Sequence, residues 1–160
     1  MVAVAIMGIL AGFAMPSYKA WIANTKVRTA TESILNGMQK ARSESLLRNT
    51  AVRFTLGANS GWTVECVTAT NCPDLTNPAG QVEARSSDEG GTQDLVVNAG
   101  GNTVLVFSNL GIKSTTVASQ ITQVDLSLSD SDRPLRIAVG GGGTVRMCDP
   151  STGISDPRKC

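Results

Sequence analysis

The sequence predicts an α+β protein in which one long N-terminal α-helix packs on an antiparallel β head. Three observations carry this. The first 48 residues follow a helical period, apolar all round in the first half and on one face in the second. The remainder breaks into short β-prone runs parted by Gly, Asn, Asp and Ser. Four cysteines fall in two close pairs, both outside the helical part. At 160 residues the chain suits one globular unit with an appendage and can bury a core without a metal.

The helix begins with a stem, residues 1–23, headed by MVAVAIMGILAGFAM. Fifteen residues are short for a bilayer, which asks for about 20. A signal peptide is one reading, but the segment has no basic n-region, and Pro16-Ser17-Tyr18-Lys19 is a poor cleavage site. A membrane helix fits better, with Tyr18 and Trp21 at the interface and Lys19, Lys26 and Arg28 in water. The missing length is then expected before Met1. Gly8 and Gly12 form a GxxxG spacing that permits close helix approach. Pro16 costs roughly 3 kcal/mol inside a helix, so a kink or local melting is expected there.

In residues 24–48, Val27, Ala30, Ile34, Met38, Ala41 and Ser45, with Gly37 beside them, trace one face at three- and four-residue steps. Lys26, Glu32, Lys40 and Glu44 fall mostly off it. This half is expected to pack on a sheet.

The head, residues 49–160, opens with a hairpin, residues 51–56 and 62–68 around Gly57-Ala58-Asn59-Ser60-Gly61. Residues 72–94, rich in Asp, Gly, Ser, Pro and Asn, read as a long surface loop pinned at its start by Cys66 and Cys72. Residues 103–108, 121–129, 134–139 and 144–148 are further strands, with a weaker one at 95–98. Leu126 and Leu128 alternate with Asp125, Ser127 and Ser129, as on a sheet with one wet face.

The charge is +1, but residues 1–48 hold six Lys/Arg against two Glu, and residues 49–160 hold eight against eleven acids. Stem and head therefore differ in sign, at +4 and −3. There is no His, which removes the usual triads, the commonest general base and most metal sites. The pairs Cys66 with Cys72 and Cys148 with Cys160 read as disulfides formed in an oxidising compartment, and their spacing is wrong for zinc. The run from Gly140 to Gly143 lies between strands with no Lys-Ser/Thr after it, so it reads as a hairpin loop rather than a phosphate cradle. Asp125, Asp130 and Asp132 lack the glycine and terminal Glu of a calcium loop and read as a solvated turn. No catalytic constellation, cofactor motif or small-molecule site stands out. Arg133, Arg136, Arg146, Arg158 and Lys159 form the best candidate for nucleic acid contact, against the simpler reading of a solvated surface.

The stretch MVAVAIMGILAGFAMPSYKAWI resembles the N-terminal helix of type IV pilins and type II secretion pseudopilins, without their leader motif, N-methylated Phe and mature-position glutamate. TATESILNGMQKARSESLLRNTAVRFTL, GWTV, VFSNLGI and TVRMC resemble the GspH/FimT family of minor pilins. The resemblance implies the pilin fold. It also implies a subunit that waits in the bacterial inner membrane as a single-pass protein with its head in the periplasm. From there it would enter an extracellular filament or its tip, contacting other pilins and minor pilins through its N-terminal helix. In such fibres the stretch matching Gly8 to Pro16 is often unwound. The implied role is structural and non-enzymatic, supporting pilus priming and thereby twitching, adhesion or DNA uptake. A type II secretion pseudopilin and a DNA receptor at the pilus tip are the alternatives. Some members bind DNA through a GRxR motif; here it reads Gly143-Thr144-Val145-Arg146, so only Gly143 and Arg146 carry over.

Overall fold

The computed structural model describes residues 2–68, 72, 80–87 and 94–160, with side chains in the helix from Ser17 onward. Helix α1 spans Val2–Leu47, 46 residues and so about 69 Å at 1.5 Å per residue. It runs without interruption through Gly8, Gly12 and Pro16, so local melting is not seen in the isolated chain. Its C-terminus is closed by a left-handed cap. Asn49 takes φ 51°, its N–H bonds Leu46 O at 3.3 Å, and Thr50 N–H bonds Ser45 O at 3.2 Å.

Among the described residues eight strands follow: β1 (Val52–Leu56), β2 (Trp62–Cys66), β3 (Gln81–Arg85), β4 (Val96–Asn98), β5 (Val104–Phe107), β6 (Gln123–Ser127), β7 (Leu135–Val139) and β8 (Val145–Cys148). They form two four-stranded antiparallel sheets, ordered β3-β2-β1-β5 and β4-β6-β7-β8. Both sheets pack on α1.

The antiparallel head expected from the sequence is built as two sheets, and the sequence expectations are corrected in two places. Residues 72–94 are not loop throughout, because Gln81–Arg85 pairs with β2 from Trp62↔Arg85 to Glu65↔Gln81, with a bulge between Val64 and Glu65. This strand lies at the sheet's edge, with Glu83 and Ala84 exposed, so it lacks the buried alternation that marks a strand in sequence. Glu44, expected off the packed face, is buried between Lys40 and Arg48, which donate to it at 3.2 and 2.8 Å.

The core is where the helical period places it. Val27, Ala30, Ile34, Met38, Ala41 and Ser45 are all buried, against Val52, Phe54 and Leu56 of β1, Trp62 and Val64 of β2, and Val124, Leu126 and Ile137 of the second sheet. Buried polar groups are matched. Ser33 Oγ accepts from Trp62 Nε1 at 3.0 Å and from Arg85 Nη1 at 2.8 Å. The Gln120 side chain accepts from Val106 N–H at 2.8 Å and donates to Ser114 O and Val117 O, fastening the 113–121 loop to β5.

Candidate assembly and binding surfaces

Three surfaces stand out. The first lies where the stem meets the head. Tyr18 and Trp21 are each 63% exposed, and their rings stack at 6.1 Å. An exposed pair of this kind on a helix following an apolar run is what a membrane interface or a protein contact stabilises. Between this part of α1 and the second sheet runs a groove of about 820 Å³, whose apolar lining includes Ala20, Trp21, Leu135 and Met147. Asn24 braces one wall: its Nδ2 donates to Asp132 Oδ1 at 2.6 Å, and its Oδ1 accepts from Ser131 Oγ at 2.7 Å.

The second surface is the C-terminal tail. Both expected disulfides are present, Cys66–Cys72 and Cys148–Cys160. The second closes a loop whose ends are also joined by a parallel bridge, Asp149↔Lys159. Asp149 Oδ1 accepts from Ser151 N–H at 2.8 Å, and at the rim Ile154 is 96% exposed.

The third is the far end of α1, where Leu46 and Leu47 lie exposed beside Leu110 and Ile112. A Cβ on Gly111 would come within 3.0 Å of Leu46 Cγ, so the loop rests directly on the helix end, and Arg42 Nε donates to Gly111 O at 3.0 Å. The glycine run is fitted here too. Gly143 has φ 78°, and a Cβ there would collide with Gly111 O, so it is a packed hairpin turn. Sequence reasoning missed this patch; the adjacent Leu46-Leu47 was its one visible signal.

The five basic residues are not brought together as one site. Arg136 is held by Asp125 through Nε at 2.5 Å and Nη2 at 3.1 Å, a contact that raises the guanidinium pKa. Arg158 grips Asp156, whose carboxyl is held down to about 2. Lys159 Nζ donates to Pro150 O at 3.2 Å. Among the described residues, only Arg133 and Arg146 of the five have side chains without a hydrogen bond or ion pair, and they lie on different strands or turns. Asp125 and Asp132 are likewise engaged, with Arg136 and Asn24. No group of His, Cys, Asp and Glu suited to a metal occurs among the described residues. Gly8, Gly12 and Pro16 lie in α1, where side chains fall outside the described residues. Among the described residues no helix is long and apolar enough to cross a membrane.

The model of the type II transport protein GspH matches residues 30–153, most of the amphipathic helix and nearly all of the head. The chain belongs to the GspH family. Two crystal structures of the Pseudomonas aeruginosa (strain PAO1) type IV minor pilin FimU share the fold of this GspH-family chain. The form in space group P21 is 14% identical over 80% of this chain and 95% of that one, with a TM-score of 0.58. The form in P65 is 15% identical over 78% and 98%, with a TM-score of 0.54. No curated protein matches at a significant level. The GspH-family chain therefore has the pilin fold, a long helix on antiparallel sheets, as its sequence predicts.

Proposed function

We propose that this GspH-family chain is a structural minor pilin of a type IV pilus. It assembles through its N-terminal helix with other pilins and supports pilus priming and biogenesis, and through them twitching, adhesion or DNA uptake. The observation that carries the reading is α1 itself. Among the described residues its buried face begins at Ala23, and the helix continues toward its N-terminus for roughly 30 Å beyond that point. A single head has no use for so long an extension, whereas a filament can bury many such stems together. In this reading residues 1–23 are the stem, 24–48 the half that packs on the head, and 49–160 the head. Before assembly the stem sits in the bacterial inner membrane with the head in the periplasm, where Cys66–Cys72 and Cys148–Cys160 are stable. Gly8, Gly12 and Pro16 are the places where α1 unwinds on entering the fibre. The subunit carries no reaction of its own.

The family match favours a second reading, a minor pseudopilin of a type II secretion system. A strain lacking the gene separates them. Loss or reduction of surface pili by electron microscopy, with normal exoprotein secretion, is expected from the first; lost secretion with normal pili supports the second. Normal pili and normal secretion overturn both. Direct DNA contact finds little support, since Arg136 and Lys159 are engaged within the head and only Gly143 and Arg146 of the GRxR motif carry over.

A further inference from the structure

We propose that the groove between α1 and the second sheet binds the phosphate headgroup of an anionic phospholipid while the subunit is in the membrane. This rests on the reading of residues 1–23 as a membrane stem. The groove starts at Ser17, just past the apolar run, beside the exposed Tyr18 and Trp21. With the run in the bilayer, the groove lies at headgroup level, where amphipathic rings and cations are favoured.

Its chemistry suits a phosphodiester with an acyl chain attached. Arg28, Arg133 and Arg158 line it, one from the helix, one from the β6–β7 turn and one from the tail. Among the described residues the Arg133 guanidinium makes no ion pair. Arg28 contacts Glu32 through Nε, and Arg158 contacts Asp156 through Nε and Nη2, leaving further N–H donors on both. The lining also holds two carboxylates: Asp132 accepts from Asn24 within the groove, and Asp149 accepts from Ser151 N–H. The lining by Ala20, Trp21, Leu135 and Met147 offers apolar surface for the glycerol and upper acyl chain. Arginine forks match phosphate oxygens, and the unpaired Arg133 guanidinium beside apolar lining and a stem favours a lipid over a free anion.

The test uses the full chain in nanodiscs of mixed phosphatidylcholine and phosphatidylglycerol, with native mass spectrometry of the lipids retained after release. Wild type is expected to keep phosphatidylglycerol in preference to phosphatidylcholine. Arg133→Gln should lower that retention about tenfold, as loss of a charge-assisted hydrogen bond implies. Arg146→Gln removes the same charge outside the groove and should leave retention intact. Equal melting temperatures for the two variants establish that both fold. No phosphatidylglycerol preference in wild type, or equal loss in both variants, overturns the site. So does displacement of the lipid by duplex DNA that Arg133→Gln no longer binds, which would mark a nucleic-acid groove. A chain that stays in the aqueous fraction during nanodisc assembly overturns the membrane reading itself, and the groove proposal with it.

Discussion

Gly37 shows how little room separates the helix from the first sheet. A Cβ there would stand 2.8 Å from Trp62 Cδ2 and 2.9 Å from Phe54 Cε2. Those rings pack on one another at 6.1 Å, and the indole is tethered by its bond to Ser33, so neither is free to retreat. Alanine favours the helix by about 1 kcal/mol, while overpacking costs about 1–3 kcal/mol, and the tethered indole tips the balance toward the cost. Gly37→Ala is therefore expected to lower the thermal midpoint by a few degrees; an equal or higher midpoint would show that the rings yield. Glu44 gives a pH signature. Burial pushes its carboxyl up, but hydrogen bonds from Arg48 and Lys40, together with their charges, outweigh this and hold it below its ordinary 4.5. A depressed folded pKa contributes stability that is complete above the unfolded value and is lost as the pH falls through the folded one. Denaturant titrations below about pH 5 should show a steeper fall in stability for wild type than for Glu44→Gln. Parallel curves would remove Glu44 from the acid response.

Among the elements, the two cystines constrain the chain unequally. Their sequence separations of 6 and 12 predict roughly 2 and 3 kcal/mol from restricting the unfolded chain. The second also anchors structure, since Cys148 lies opposite Arg136 in the β7–β8 register and Cys160 N–H bonds Asp149 O at 3.4 Å. Replacing Cys148 and Cys160 by serine should cost about 3 kcal/mol in denaturant unfolding. It should also speed hydrogen exchange at Asp149 and Lys159 while leaving β1 and β2 protected; uniform acceleration would mean that the tail is integral to the fold. The buried helix face and most strands were legible in the sequence because burial repeats there at 3.6 or 2 residues. The edge strand Gln81–Arg85 was not, since its partner covers only one side and its own pattern carries no apolar alternation. The split into two sheets was equally hidden, as nothing local says that β5 pairs with β1 while β4 pairs with β6. Two surfaces were half visible. The basic cluster was seen as five residues, but the carboxylates that engage Arg136 and Arg158 are found only in three dimensions. The groove joins Arg28 to Arg133 and Arg158 across almost the whole chain, beyond any short motif.

For the molecule as a whole, the proposed function asks α1 to serve two solvents. From Val27 to Ala41 its apolar face is covered by the head, so that half is held by tertiary packing as much as by helical propensity. In the proposed function the apolar run before Ser17 is covered by lipid or by other stems. A chain starting at Asn24 keeps every buried residue of the helix face from Val27 to Ser45, and it keeps the Asn24 bonds to Asp132 and Ser131. It loses Ala23, the only core residue in the removed segment among the described ones, a cavity worth about 1 kcal/mol or less. Residues 24–160 should therefore fold as a water-soluble monomer melting within a few degrees of the full chain, by size-exclusion chromatography and calorimetry. On the proposed function, in which lipid or neighbouring stems cover residues 1–15, the full chain should stay with bacterial membranes through a carbonate wash and leave them only in detergent. If it is instead a detergent-free monomer in water, the stem needs no such cover, and a filament has no reason to form from it.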